Sequence, residues 1–296
     1  MSSTAVLVLT RLAKSYRAGV LGCAATVEAL RAVTLHVEPG ELVTVGGDRG
    51  AGKTTLLLCA AGMLRADAGD VSWPSLTARP GRPPAGIAYA AERTPMYGFL
   101  TVRESLGYAA TVRELHDPGT AGDADAAMDL SGLREHADVR LGLLGAAERD
   151  RLIVALALIA PPRLLLVDDV TGGSDAVGRA AFAKCLARVT AAGTAVVWAA
   201  RAIGVVAEAR AAYVLAGGRL HHSSLPVRRG LPRTTLELDV PAPHRAATLL
   251  AERLDTLHRR DGRVRVSLDT TTPEEVLAVC RDLAIPVLGS RVVREP

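Results

Sequence analysis

Residues 47 to 54 read Gly-Asp-Arg-Gly-Ala-Gly-Lys-Thr, which fills the spacing G-x-x-x-x-G-K-[ST] at each specified position with Gly47, Gly52, Lys53 and Thr54. Gly47, Gly50 and Gly52 carry no Cβ, so the chain turns tightly and points successive backbone N–H groups inward. Those donors, with the positive end of a helix starting near Gly52, make a seat for a polyphosphate. Lys53 reaches the outer phosphates and the Thr54 hydroxyl suits Mg²⁺, while Asp48, Arg49, Ala51 and Thr55 complete the loop and its exit. The alternative is a glycine-rich turn with a surface lysine. Against it stands the composition: among 35 basic residues only Lys14, Lys53 and Lys184 are lysine, and one of the three falls where a phosphate seat needs it.

A phosphate loop needs a carboxylate opposite it to hold a cation. The apolar run 164-LLLV-167 ends in Asp168 and Asp169, so charge emerges only at the carboxyl end of a buried strand, where ligands sit in open α/β sheets. Asp168 is expected to orient Mg²⁺ there; the bland alternative is an acidic pair at the surface.

The elements that must position these groups follow from pattern. Residues 5–10, 32–37 and 41–45 read as strands, the last feeding the loop, and 56-LLLCAAGML-64 continues as an apolar helix. Strand patterns near 69–73 and at 86–91 precede a helical stretch from about 101 to 158, opened by the capping box 101-TVRE-104. Strands return at 164–168, 194–199 and 212–216 between helical stretches, which implies a largely parallel sheet with helices on its faces. Gly217 and Gly218 then turn the chain, and 223–233 looks like a linker. The tail is expected to run strand 235–240, helix 243–257, strand 263–269, helix 273–284 with Thr272 as its N-cap, and a strand near 285–293.

Composition bounds the rest. The chain of 296 residues is 49% hydrophobic but only 3% aromatic, so its core must rest on Leu, Val and Ala. A net charge of +4 without a basic block argues for no nucleic acid partner. Cys23, Cys59, Cys185 and Cys280 lie far apart and read as buried small hydrophobes, and the pair His221-His222 lacks a third ligand. No leader pattern opens the chain, and the longest apolar stretch, 152-LIVALALIA-160, is about half a membrane span. Any membrane role is therefore expected to come through a partner.

At this point the chain resembles the ATP-binding subunits of bacterial ABC transporters. The resemblance covers roughly residues 5–222, through the loop, the Asp168 strand, the helical insert between them, and the phrases 28-EALRAVTLHVEPGELVTVGG-47 and 100-LTVRESLGYAA-110. It implies an α/β fold: a P-loop NTPase core with a parallel sheet, an antiparallel N-terminal β-subdomain and a helical insert at about 100–160, within a domain spanning 1–222. A small α+β accessory domain at 234–296 looks like the extension of drug-exporter-type members. The cofactors it implies are ATP and Mg²⁺, with Tyr16 matching the aromatic that stacks on adenine. The partners it implies are membrane-spanning permease subunits and a second ATP-binding subunit, alike or different, at the cytoplasmic face of the membrane.

The family's pattern breaks at four places. In the register of 148-ERDRLIVALAL-158, the signature LSGGQ falls at 144-LGAAE-148, so Gly145, Ala146, Ala147 and Glu148 replace its serine, two glycines and glutamine. The hydroxyl donor is lost, two methyls crowd a close backbone approach, and Glu148 brings a negative charge toward the phosphates. Glu92 stands for the glutamine that senses Mg²⁺ and the attacking water, Asp169 for the glutamate general base, and Arg201 for the histidine at the γ-phosphate. One methylene less at Asp169 leaves the base about 1 Å short, worth ~10²-fold in rate. Binding with slow turnover is the expectation; the alternative is a non-hydrolysing partner of another ATPase.

Overall fold

Short, largely apolar runs, LVTV at 42–45, IAYAA at 87–91, LLLV at 164–167, AVVWAA at 195–200 and AAYVLA at 211–216, build the central sheet. The computed structural model describes residues 5–18, 25–77, 84–116, 122–171, 173–201, 206, 209–222, 233–242, 246, 250, 257–260, 263–267 and 273–295. The chain divides into two compact units, 1–227 and 228–296.

In the first unit, β1 (Leu7–Ala18), β2 (Ala25–Val37) and β4 (Ala68–Ser72) form an antiparallel sheet in the order β2-β1-β4. The larger sheet runs β5-β6-β7-β3-β8-β9, from β3 (Leu42–Gly46), β5 (Ile87–Ala91), β6 (Leu164–Asp168), β7 (Ala195–Ala200), β8 (Ala211–Ala216) and β9 (Arg219–His222). All its neighbours are parallel except β8 and β9. The helices are α1 (Lys53–Ala60), α2 (Val102–His116), α3 (Ala124–Ser131), α4 (Ala146–Ala157) and α5 (Ala176–Ala191).

Strand alternation divides the core. Leu165, Val167, Val196 and Trp198 face the helical insert and α5, whereas Leu164, Leu166, Val197 and Ala199 face α1 and the antiparallel sheet. β6 and β7 are buried along their whole length, as strands covered on both faces must be. The helical insert holds α2, α3 and α4; at its start Glu104 accepts from the Thr101 amide at 2.8 Å while the Thr101 hydroxyl accepts from the Glu104 amide at 3.2 Å. No helix among the described residues is long and apolar enough to cross a membrane.

Three expectations need correcting here. β1 runs on to Ala18 through register shifts beside Arg11 (φ 49°), because a bulge lets one long strand bend and keep pairing. The turn at Gly217-Gly218 leads into a further strand, β9, paired back on β8. In the second unit, residue 257 belongs to a strand and not to a helix.

That second unit holds β10 (Arg233–Asp239), β11 (Leu257–Arg260), β12 (Arg263–Ser267), α6 (Pro273–Asp282) and β13 (Gly289–Glu295). Its sheet is antiparallel in the order β11-β12-β10-β13, with Ala246 and Leu250 helical between β10 and β11. The succession β-α-β-β-α-β is ferredoxin-like. The missed strand had a signal, since Asp261-Gly262 is a hairpin dipeptide and Arg260 pairs with Arg263. Cys59, Cys185 and Cys280 are buried and free; Cys23, Thr272 and residues 223–232 of the expected linker 223–233 lie outside the described residues, while Arg233, its last residue, opens β10.

Candidate functional site

The parallel register lines up the strand ends. Gly46 stands opposite Ala200, Asp168 opposite Ala199, and Ala91 opposite Asp168. The next residues out are Gly47, Arg201, Asp169 and Glu92. Four positions scattered over 155 residues of sequence therefore emerge along one edge of the sheet.

At the loop, the glycines play unequal parts. Gly47, Gly50 and Gly52 have φ of 154°, 83° and 101°. A Cβ on Gly47 would lie 2.5 Å from the Leu215 carbonyl oxygen, and one on Gly52 would strike the carbonyl oxygen of Ala29, whereas one on Gly50 would meet nothing. Two of the glycines thus admit close backbone neighbours, and the third serves the turn alone. Lys53, 7% exposed, donates to the carbonyls of Gly47 at 2.6 Å and Asp48 at 2.9 Å, so its ammonium is held over the mouth of its own loop. Burial pushes that ammonium below the ordinary lysine range, with the charges of Asp169 and Asp168 pulling the other way. Thr54 is exposed at the start of α1. On β1, Tyr16 is 42% exposed, its hydroxyl 3.3 Å from Thr55 Oγ1 and its ring under the Lys14 ammonium at 5.8 Å. Long β1 is what carries this aromatic to the loop.

Strand parity assigns the two aspartates different surroundings. Leu164 and Leu166 face α1, so Asp168 emerges on that same face and Asp169 does not. Asp168 is buried; its Oδ2 accepts from the Tyr89 hydroxyl at 2.7 Å, and Oδ1 is buried without a hydrogen-bond partner among the described residues. Burial first, then the bond to Asp168, push the Tyr89 phenol upward. Asp169 has a left-handed backbone (φ 47°), an amide donating to Ala199 at 2.8 Å, and a carboxylate accepting from Arg201 Nε at 3.1 Å. The pairing of these two divergent residues was not foreseen from sequence, because it depends on β6 and β7 being neighbours.

Glu92 sits exposed on the turn after β5, within electrostatic reach of Asp150 on α4. Asp150 is itself buried and accepts from the Ser174 hydroxyl. Burial lifts its carboxyl above the ordinary range, the Ser174 bond works against that, and the Glu92 charge adds to it. Sequence reasoning passed over both Tyr89 and Asp150, although each is a lone polar group in an apolar segment, 87-IAYAA-91 and the core-facing side of α4.

The segment in the signature position leads into α4, with Leu144 buried, Gly145 and Ala146 exposed, Ala147 and Glu148 half-buried, and Gly145 as N-cap without a side-chain cap bond. A Cβ on Gly145 would lie 2.5 Å from Glu148 Oε2, so the Glu148 carboxylate fills the side-chain space of residue 145. Its Oε1 accepts from Arg151 Nη2 at 3.1 Å, and Arg151 Nη1 donates to the Gly132 carbonyl at 2.9 Å. Glu148 is folded back over its own helix start; Ala147 Cβ lies 3.2 Å from the Cβ position of Gly178 at the head of α5.

The donor set fits a hard cation: a carboxylate oxygen buried without a donor among the described residues, and a hydroxyl at the first turn of α1. Among the described residues no cluster of three His, Cys, Asp or Glu groups forms a metal site, and His222 instead packs edge-on against Tyr213 at 5.2 Å.

The chain is similar in sequence and fold to known proteins. Residues 30–172 match the family described as ABC transporter. The zinc import ATP-binding protein ZnuC of Cereibacter sphaeroides is 35% identical over 162 residues, covering 55% of this chain and 61% of that protein. The cytochrome c biogenesis ATP-binding export protein CcmA of Rhodobacter capsulatus is 33% identical over 181 residues, covering 61% of this chain and 78% of that protein. Sulfate/thiosulfate import ATP-binding proteins CysA of Bordetella species match over 47% of their length, so the chain spans about half to three-fifths of these importers. In three dimensions, the dimeric structure of a bacterial ABC transporter cassette superposes with a TM-score of 0.59 at 19% identity, covering 76% of this chain and all of that one. A nucleotide-free ATP-binding cassette gives 0.58 at 18%, covering 73% and 89%. The α/β fold with its antiparallel subdomain and helical insert is that of these cassettes, and the chain belongs to the ATP-binding proteins of the ABC transporter family.

Proposed function

We propose that this chain is the ATP-binding subunit of a bacterial ABC transporter, working at the cytoplasmic face of the membrane in the export direction. It holds Mg-ATP at the Gly47–Thr54 loop, docks on a membrane-spanning permease, and turns nucleotide over slowly. The observation that carries this reading is the juxtaposition at one sheet edge of the loop, the buried Lys53 ammonium and an Asp168 oxygen without a hydrogen-bond partner among the described residues. Export is favoured by the relative named for export being covered over 78% of its length, against 61% or less for the importers cited.

Docking on a permease is supported by an exposed aromatic cluster formed by the loop before α2 and by α2 itself. Tyr97, Phe99 and Tyr108 are 52%, 71% and 54% exposed, with ring centroids 5.8 and 6.1 Å apart. A chain with nine aromatics that leaves three of them together in water has a surface suited to an apolar partner. Slow turnover is supported by Asp169, whose shortened carboxylate is engaged by Arg201.

The second reading, a non-hydrolysing partner of a different ATP-binding subunit, is favoured by Glu148. Its carboxylate occupies the place where the family's serine would offer a hydroxyl to a facing nucleotide, so two identical chains would present this edge to each other's ATP.

Binding of a fluorescent ATP analogue tests the core of the reading. Lys53→Ala should weaken Mg-ATP roughly 10- to 100-fold, the scale of losing charge-assisted bonds to phosphate. Unchanged affinity would sink it. Robust hydrolysis by the isolated chain, abolished in Asp169→Asn, would refute slow turnover alone, and a strict homodimer on its permease would exclude the second reading.

A further inference from the structure

The hydroxyl of Tyr89 belongs to none of the groups assigned so far, yet it holds the carboxylate on which a cation depends. β5 and β6 are parallel neighbours with Tyr89 opposite Leu166 and Ala91 opposite Asp168. Tyr89 and Leu166 pack in the core cluster that faces α1, so the ring leans along the strand on the same face from which Asp168 emerges. The two carboxylate oxygens then differ: Oδ2 accepts a hydrogen bond from the phenol hydroxyl at 2.7 Å, and Oδ1 is buried without a partner among the described residues. A carboxylate held by neither oxygen turns freely about its last bond, and one held by both is saturated. Held by one, it presents the other in a fixed direction. A tyrosine suits the task, since its rigid ring has few torsions to freeze and this one is packed beside Ile87.

We infer that Tyr89 is a positioning residue for Asp168, anchoring one carboxylate oxygen so that the other is kept for Mg²⁺. The inference rests on the Mg-ATP reading above and adds a residue to it. Partners of this kind, which touch a ligand and not the metal, typically change metal affinity 10- to 100-fold when removed.

Tyr89→Phe keeps the ring and its packing and removes the hydroxyl alone. The full chain is titrated with Mg²⁺ at a fixed concentration of fluorescent ATP analogue, and the same analogue is titrated in EDTA. The Mg²⁺ concentration for half-maximal enhancement should rise about tenfold in Tyr89→Phe, with affinity in EDTA within about twofold of the parent. Asp168→Asn should shift the titration at least as far by itself, and adding Tyr89→Phe to it should move the titration no further. An unmoved Mg²⁺ titration overturns the inference. So does an equal loss with and without Mg²⁺, which is what a merely structural role gives. A parent chain that binds no nucleotide under either condition would instead bring down the Mg-ATP reading itself, and this inference with it.

Discussion

The three loop glycines offer a test in which the structure ranks outcomes that the sequence motif does not. Gly50 and Gly52 both have left-handed φ, 83° and 101°, so alanine at either carries a strain of about 1–2 kcal/mol. Alanine also restricts the unfolded chain, which returns about 0.4–1 kcal/mol. At Gly50 nothing lies within 4 Å of the new methyl, so the net cost stays near 0.5–1 kcal/mol, worked from strain less the unfolded-state gain. At Gly52 the methyl runs into the Ala29 carbonyl, with Leu215 Cδ2 3.5 Å away, and neither the β2 backbone nor the β8 core can retreat easily. Overpacking of this kind adds about 1–3 kcal/mol, for a total near 3.

In a folding unit of this size, 1 kcal/mol moves the melting temperature by about 2–4 °C. Gly50→Ala should therefore melt roughly 1–4 °C below the parent and Gly52→Ala roughly 6–12 °C below it, followed by circular dichroism. Gly47→Ala belongs with Gly52→Ala, because its methyl meets the Leu215 carbonyl at 2.5 Å. Were Gly50→Ala to cost as much as Gly52→Ala, the assignment of backbone contact as the deciding factor would be wrong.

Further measurements address the other groups. The Arg201–Asp169 pair is half-exposed on its arginine side, so Arg201→Ala should cost at most about 1 kcal/mol of stability; on the proposed reading it weakens ATP more than ADP, and equal loss for both nucleotides in a binding assay contradicts a role at the γ-phosphate. Asp150 has its carboxyl raised above the ordinary value of 3.8, so its ionised form is disfavoured in the fold and its contribution to stability declines as pH rises from that value through the raised one. Asp150→Asn keeps an acceptor for Ser174 and removes the charge, so thermal melts should show its advantage over the parent growing across that window and level at neutral pH; a constant difference at all pH values counts against the argument. Gly145→Ser must displace the Glu148 carboxylate, so Gly145→Ser and Glu148→Ala should be non-additive by more than about 0.5 kcal/mol in a double-mutant cycle read from melting curves.

What sequence discloses here is whatever is contiguous. The loop is a local motif between an apolar strand and an apolar helix, and Asp168 is marked by its place at the end of four apolar residues. The parallel core and the helical insert follow from alternating strand and helix patterns, the antiparallel subdomain follows only from the resemblance to the family, and the structure has all three. Relations across the sheet are another matter. Tyr89 reaches Asp168 only because β5 lies beside β6, and Arg201 reaches Asp169 only because β7 lies on the other side. No local pattern states that order. Glu148 hides for a different reason: its charge suggests a side chain directed outward to a phosphate, while Arg151, one turn on, draws it back over Gly145.

The same neighbours give the site its resting balance. Lys53 is bonded to the carbonyls of its own loop, and Arg201 to Asp169, so both cations already have partners. An arriving triphosphate, on the proposed reading, must replace the existing bonds of each cation it gains. It does so readily at Lys53, where neutral carbonyls are exchanged for phosphate oxygens and the interaction becomes charge-assisted. At Arg201 the exchange is of one anion for another, and moving the guanidinium leaves Asp169 half-buried, in a left-handed backbone, without its counter-charge. On that reading, seating the nucleotide is favoured more strongly than freeing the carboxylate, so the proposed grip on ATP and the proposed slow turnover have one cause.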